Sequence, residues 1–357
     1  MGYDVLKAKR ITLTESAGDI AEELYRNGFC VDGLPVVPPT EERVMRMIEY
    51  NKLDPQQVIA KEFEPSKGVA TVEKIAINAV MAGCLPEYLP VLIAAVEAMT
   101  AEGFDIFGVQ ATTHPCGMVT IVNGPIRKKI GINCGSGAMG PGWRANATIG
   151  RAVRLMMLNL GGATPGEVDK STQGSPCKYT FCFGENEEES PWEPYHVELG
   201  YEPTDSTVTV VGLEGPHDIN GQDSKVSKDF LRILASSVTS PGSSNFRFVK
   251  GADLVICLGP EHAAILGRDG VTKDEAREYL FEHARVTLDR ITEEHLAHRR
   301  KTPAQYGEFG DQPIPVVMEK ENFKLFVVGG PGLHSCWMPN WGGPKHRMST
   351  AKIRLPE

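Results

Sequence analysis

The sequence predicts an α/β protein with mixed or parallel sheets, helices on the sheet faces and two α/β halves. Short runs rich in β-branched residues alternate with longer helical patterns, which is typical of strand–helix–strand connectivity. The composition is that of a globular protein, with 41% hydrophobic and 23% charged residues. A chain of 357 residues is also long enough to bury a large core.

Five helices are predicted in the first 200 residues, at 16–27, 41–50, 71–83, 90–99 and 145–159. Gly28 is the predicted end of the first helix, and Thr40 is the predicted N-cap of the second. The helices at 71–83 and 90–99 are almost entirely apolar, which indicates a buried helical layer over a sheet. Strands are predicted at 104–113, 118–122 and 178–183.

The second half continues the alternation of strands and helices. Strands are predicted at 207–213, 252–258 and 323–329, with an edge strand at 348–355, and helices at 228–238 and 273–285. The composition changes near residues 201–203, where we place a domain boundary. Residues 1–200 then form a domain with a glycine-rich loop and a buried helix, and residues 201–357 form a domain with histidines at strand ends.

Charge and composition exclude several classes of function. A net charge of -9 argues against nucleic acid as a partner, because binding to phosphate chains needs basic surfaces. No apolar run approaches the length of a membrane span, and no signal-peptide pattern opens the sequence, so we expect a cytoplasmic protein. The eight cysteines are spread over the chain without a zinc-finger spacing or a disulfide framework. No nucleotide-binding loop follows a strand, so no nucleotide cofactor is expected.

A glycine-rich loop at 134–142 (CGSGAMGPG) leads into the helix at 145–159, with Asn146 or Thr148 as the candidate N-cap. This helix is apolar on nearly all sides and yet carries arginines. Buried arginines require anionic partners, and a helix amino end attracts carboxylate or phosphate. The sequence therefore predicts that this loop and helix form one side of a binding site for a small anionic organic substrate. The predicted substrate-binding residues are Arg144, Asn146, Arg151, Arg154, Gly135, Gly137 and Glu185; Glu185 begins an acidic run that either faces solvent or reaches these arginines.

Three cysteines lie in loops beside glycine or proline, at Cys84, Cys116 and Cys134. Cys134 also precedes the helix amino end, an environment that lowers a thiol pKa and favours the thiolate. Cys134 is therefore the predicted nucleophile, with Cys84 and Cys116 as rivals. Cys257 lies inside a predicted buried strand and is expected to be inert.

Histidines follow the ends of several predicted strands, at His114, His217, His262 and His334. Ligands in open α/β sheets bind beyond the carboxyl ends of the strands. Imidazoles arriving there act as acid–base groups or as metal ligands. His114, His262 and His334 are candidate catalytic residues, and His217, His262 and His334 are candidate ligands for a divalent metal.

Four strings resemble those of a bacterial family related to UGSC-type selenoproteins and their cysteine relatives: 32–40 (DGLPVVPPT), 79–84 (AVMAGC), 144–152 (RANATIGRA) and 190–194 (SPWEP). The similarity covers most of the first 200 residues. It implies redox-capable thiol chemistry at a short motif of cysteine or selenocysteine. Gly137 stands where that pattern has a second cysteine, which leaves a single nucleophilic thiol at Cys134.

The sequence thus favours an enzyme acting on a small anionic organic substrate, with a cysteine thiolate and a histidine that moves protons. A lyase or hydratase and a thiol-dependent reductase both fit these residues. One alternative is a subunit of a larger redox complex, docked through its acidic run. The other is a metal-dependent hydrolase built on His217, His262 and His334. For all of these functions, we expect the chain to form a homo-oligomer or to bind a partner subunit.

Overall fold

The structure, a computed structural model, describes residues 3–13, 20–247, 253–303, 307–342 and 347–356. Its helices are α1 Ile20–Arg26, α2 Glu41–Tyr50, α3 Val72–Ala82, α4 Leu89–Met99, α5 Ile106–Gln110, α6 Ile126–Lys129, α7 Arg144–Asn159, α8 Tyr195–Glu198, α9 Ser227–Ser237, α10 Ser244–Arg247, α11 Pro260–Arg268, α12 Lys273–His283 and α13 Glu293–Lys301. Its strands are β1 Val58–Phe63, β2 Gly68–Thr71, β3 Gly117–Asn123, β4 Cys182–Gly184, β5 Thr207–Leu213, β6 His217–Asn220, β7 Leu254–Leu258, β8 Arg285–Val286, β9 Ile314–Pro315, β10 Phe323–Val327, β11 His334–Met338 and β12 Ser349–Lys352. Parallel and antiparallel pairs occur together, so the predicted α/β class is confirmed.

The first main sheet has the strand order β12-β5-β3-β4. β3 and β5 are antiparallel along their whole length, from Gly117 opposite Leu213 to Asn123 opposite Thr207. Every residue of both strands is buried, as expected for apolar strands covered on both faces. β4 runs parallel to β3, and β12 closes the other side as the predicted edge strand.

The second main sheet has the order β10-β7-β11-β6. β7 and β10 are parallel and connected through α11 and α12, which is the expected crossover for parallel strands. β11 lies between β7 and β6 and is antiparallel to both. The sheet is therefore mixed, and β11 is one of its two inner strands.

Both sheets share an apolar layer, because one buried cluster takes side chains from each. Its members include Ile121 and Val211 of the first sheet and Val255, Phe326 and Met338 of the second. Each sheet also covers a core of its own, beneath α3, α4 and α7 on one side and α9, α11 and α12 on the other. The first sheet takes β5 and β12 from beyond residue 200, so the sheets do not follow the predicted division of the chain there.

Most helices lie where the capping residues and glycines in the sequence predict them. Thr40 caps α2 as predicted, and Thr71 and Gly83 bound α3, with Gly83 in the left-handed conformation that favours glycine. The helix predicted from residue 16 begins at Ile20, and residues 14–19 lie outside the described part of the chain. Where the structure describes the chain, no helix is both long and apolar enough to cross a bilayer.

The strand predicted at 104–113 is wrong, because this segment contains the short helix α5. Asp105 caps the helix, with its Oδ1 accepting a hydrogen bond from the Gly108 amide at 2.8 Å. Asp at an N-cap favours a helix start, and this signal outweighs the β propensity of the apolar residues that follow.

Candidate functional site

Helix α7 begins where the sequence predicts, but its start is built differently. Trp143 occupies the N-cap position and makes no side-chain capping bond, so the predicted caps Asn146 and Thr148 are wrong. Asn146 instead binds the preceding loop: its Oδ1 accepts from the Asn133 amide at 2.8 Å, and its Nδ2 donates to the carbonyls of Asn133 and Ala138 at 2.9 and 3.0 Å. Asn146 therefore holds the glycine-rich loop against the helix.

Two of the three predicted anion-binding arginines are used by the protein itself. Arg144 donates twice to the Gly83 carbonyl, at 3.1 and 3.0 Å. Arg151 forms a bidentate ion pair with Asp32, in which Nε donates to Oδ2 at 2.8 Å and Nη2 donates to Oδ1 at 3.2 Å. Its Nη2 also donates to the Leu34 and Pro35 carbonyls. Arg151 is therefore corrected from substrate binding to tethering of the 32–35 segment, because Asp32 and two carbonyls engage its donors. Arg144 tethers Gly83 through two of its donors and is exposed, so its substrate contact stays a prediction.

Cys134 is half-buried in the glycine-rich loop. Burial raises the pKa of its thiol, and the Arg127 guanidinium, with Nη1 at 3.6 Å from Sγ, opposes that shift only in part. The loop is attached to the second half of the chain, since the Gly329 amide donates to the Cys134 carbonyl at 2.8 Å. Gly135 donates to Asn133 Oδ1, and Gly137 has a positive φ of 72°. The structure does not provide the low thiol pKa that the sequence predicts here.

The rival thiols Cys84 and Cys116 are buried. Burial raises the pKa of each to about 12, which overrides the weak lowering by the neighbouring Arg144 and Lys178. A thiol with such a pKa is almost entirely protonated at neutral pH. Their surroundings therefore do not favour either one as a nucleophilic thiolate.

The native protein should react with iodoacetamide faster at Cys134 than at Cys84 or Cys116. Cys134 is partly exposed and lies beside a guanidinium, whereas the other two thiols are buried and protonated. Mass spectrometry of digested samples taken during labelling measures the three rates. Denatured protein, in which all three sites become equivalent, is the control. Equal rates in the native protein would contradict the burial described here.

The acidic run does meet a buried arginine, but the arginine is Arg127. Arg127 is 2% exposed; its Nη2 lies 2.6 Å from Glu187 and 3.1 Å from Glu188. Burial raises the pKa of Glu188, but the hydrogen bonds from Arg127 and Lys128 outweigh it and lower the value to about 2. Sequence reasoning missed Arg127, although its position just after the turn that ends β3 was the available signal.

Glu185 does not contact the predicted arginines through its carboxylate. That carboxylate is buried and accepts from the Asn123 side chain and, at 2.9 Å, from the Tyr195 amide. The backbone carbonyl of Glu185 does accept a hydrogen bond from an arginine, but from Arg127 Nη1, at 2.6 Å. Burial raises the pKa of Glu185. Its predicted substrate contact is therefore corrected to a structural role.

The third predicted arginine lies at a cavity. Arg154 Nη2 is 3.1 Å from Asp169 Oδ2, and Lys178 Nζ is 2.7 and 2.8 Å from the two Asp169 oxygens. These residues line a cavity of about 570 Å³, which we call the cationic cavity. Its other lining residues are Val31, Asp32, Leu158, Pro165, Gly166, Ser171, Thr172, Gln173, Gly174, Ser175, Pro176 and Tyr179.

His114 is in close contact with a carboxylate. Its Nε2 lies 2.7 Å from Glu214 Oε1 and 3.2 Å from the Ser244 hydroxyl. Glu214 and His217 line a second cavity of about 530 Å³ together with Trp337, whose ring packs against His217 in a tilted arrangement with 5.1 Å between centroids. His114 and Glu214 therefore form a hydrogen-bonded pair, and Glu214 places it at the edge of this cavity.

The other two histidines are engaged separately. His262 is buried, stacks on Phe230 at 4.0 Å, and pairs its Nδ1 with the Ser335 hydroxyl at 2.8 Å; burial lowers its pKa. His334 is exposed and pairs with Asp218 at 3.0 Å. Within the described ranges, no group of three or more His, Cys, Asp or Glu side chains is arranged to hold a metal ion. The predicted metal site at His217, His262 and His334 is therefore not assembled.

The fold and the cationic cavity define an α/β protein with a cavity beside its longest helix, α7, whose wall carries two cations, Arg154 and Lys178, and two carboxylates, Asp32 and Asp169. No protein-family model, curated protein or solved structure matches this chain. The resemblance to UGSC-type proteins stays a prediction.

Proposed function

We propose that the protein is an enzyme whose substrate is a small organic anion, bound in the cationic cavity. The observation that carries the proposal is the placement of two buried cations, Arg154 and Lys178, on a single carboxylate, Asp169. The side chains of Arg154 and Lys178 are 10% and 12% exposed, so both charges are largely removed from water.

Buried charges of like sign need compensation, because desolvation costs several kcal/mol for each ion (order of magnitude). Asp169 compensates one of the two cations. Asp32, the other carboxylate at the wall, is engaged by Arg151, which does not line the cavity. Counted together with the four charged lining residues, Arg151 makes three cations around the cavity against two carboxylates, an excess of one positive charge. A substrate carboxylate placed beside Arg154 and Lys178 restores the balance and gains charge-assisted hydrogen bonds.

The size and polarity of the cavity fit a small, hydroxylated or carbonyl-bearing acid. A volume of about 570 Å³ lies within the usual range for small-molecule sites. Ser171, Thr172, Ser175 and Tyr179 supply hydroxyls to bind such groups. The residues that line the cavity include no cysteine, which favours a lyase or hydratase over a thiol-dependent reductase.

Two sets of side chains at or beside the cationic cavity carry groups that can exchange a proton. Lys178 and Tyr179 line the cavity directly, and the His114 loop borders it, since the Ser171 hydroxyl donates to the His114 carbonyl at 3.2 Å. The His114 imidazole is in turn held by Glu214. A lyase or hydratase needs one group that removes a proton and one that delivers a proton, and these side chains provide both kinds.

Calorimetric titration with small carboxylic acids tests the proposal. We expect di- and hydroxycarboxylates to bind, and the matching neutral amides to bind at least about tenfold more weakly, because they lose the charge-assisted contacts. Binding of acid and amide with equal affinity, or of neither, would contradict the proposal. The purified protein is then assayed for addition or elimination of water, with the acids that bind as substrates.

Two expectations from the sequence stay predictions. One is the cytoplasmic location of the protein. The other is its assembly as a homo-oligomer or with a partner subunit. Measuring the mass of the native assembly tests the second directly.

A further inference from the structure

Two free cysteines lie directly opposite each other at the centre of the second main sheet. Cys257 is on β7 and Cys336 is on β11, and they are register partners in the antiparallel pairing of these strands. Directly opposite residues point to the same face of a sheet. Both side chains belong to the apolar layer shared by the two sheets, and the Cys336 thiol is near enough to raise the pKa of the Cys257 thiol.

The register of β7 and β11 places the Cα atoms of the two cysteines in the range that a disulfide spans. Opposite residues of an antiparallel pair have Cα atoms about 4.5–5.5 Å apart. Disulfides span Cα separations of about 4.4–6.8 Å. The Cβ atoms of opposite residues are about 4.5–5.5 Å apart and those of a disulfide about 3.5–4.5 Å, so the bond needs only a small local approach of the two strands and adjustment of the side-chain torsions.

The two thiols differ in access. Cys336 is half-buried, whereas Cys257 is buried, so an oxidant in solution meets Cys336 first. Burial, reinforced by the neighbouring Cys336, raises the pKa of the Cys257 thiol, so Cys257 is a poor first nucleophile. Cys84 and Cys182, another pair of neighbouring thiols, are both buried and offer no accessible partner.

We propose that Cys257 and Cys336 are a site of reversible oxidation that closes a disulfide between β7 and β11, with a low-molecular-weight disulfide as the oxidant. Cys336 loses its proton and attacks one sulfur of the oxidant, which forms a mixed disulfide and releases one small thiol. Cys257 then loses its proton and attacks Sγ of Cys336, which releases the second small thiol. Two protein thiols are oxidised, and one small disulfide is reduced to two thiols.

Oxidised glutathione is the probe, applied to the native full-length chain, followed by alkylation, digestion and non-reducing mass spectrometry. The number of thiols titrated after denaturation should fall from eight to six, because one bond consumes two of them. The peptides of Cys257 and Cys336 should be recovered joined, and dithiothreitol should separate them. The Cys134→Ser variant should behave like the wild type in forming this bond.

Single variants complete the test. Cys257→Ser should retain glutathione on Cys336 as a mixed disulfide, because the resolving thiol is absent. Cys336→Ser should form no disulfide at Cys257. The proposal is overturned if all eight thiols of the wild type remain free, if glutathione stays on Cys336 of the wild type, or if the bond joins other cysteines.

Discussion

Replacing Lys178 by methionine should weaken the binding of small organic acids about 10- to 100-fold, since hydrogen bonds to charged groups contribute about 1.5–3 kcal/mol. Methionine keeps most of the length of the side chain and removes its charge. Asp169 retains Arg154 at 3.1 Å, so no carboxylate is left buried without a cation. The loss should therefore appear in the dissociation constant measured by calorimetry, with little change in the folded state.

Lys74→Met is the matched control for this experiment. Lys74 donates to the Val69 carbonyl at 2.9 Å and does not line the cationic cavity. This variant removes one positive charge from the protein and should leave the affinity unchanged. Equal weakening in both variants would indicate a general electrostatic effect, and unchanged affinity in Lys178→Met would remove Lys178 from the site. Circular dichroism of both proteins verifies that each is folded.

Replacing Arg127 by methionine should lower the free energy of unfolding by about 3–5 kcal/mol, the usual effect of removing one partner from a buried ion pair. The Arg127 guanidinium lies between Glu187, Glu188 and the Glu185 carbonyl and is 2% exposed. Without it, the Glu187 carboxylate, at 12% exposure, loses its ionic partner in a region that excludes water. Urea unfolding monitored by fluorescence measures the change.

Lys128→Met provides the comparison for Arg127. Lys128 pairs with the same Glu188 carboxylate at 2.8 Å, but its side chain is 69% exposed. Exposed ion pairs contribute only about 0–1 kcal/mol, so this variant should unfold almost like the wild type. Similar destabilisation by both substitutions would show that burial does not set the strength of this cluster. The Arg127 variant should also alter the alkylation rate of Cys134, whose sulfur contacts the guanidinium.

Regular elements were predictable because their signals are local. The span of α7 follows from a largely apolar segment between glycines at 142 and 161, and the observed ends match the predicted ones within one residue. β5 and β7 follow from β-branched runs that are buried on both faces. Chain segments of this kind are long and uniform enough that tertiary contacts do not override them.

The candidate site was predictable only in part. A buried, arginine-bearing helix correctly pointed to anionic partners, and Arg154 does lie at a cavity. The partner of Arg151, Asp32, is 119 residues away in the chain, and no local pattern connects them. Likewise, burial decides the thiol pKa values, and loop position alone gives no measure of burial.

By itself, the sequence determined the α/β class, the positions of most helices and strands, and the presence of buried arginines that require anions. The tertiary structure decided which anions those are, leaving Arg154 and Lys178 with one carboxylate between them at an open cavity. It also separated that cavity from Cys134, which does not line it. The physical reason is that periodicity and capping act over a few residues, whereas desolvation and charge pairing depend on chain segments that only folding brings together.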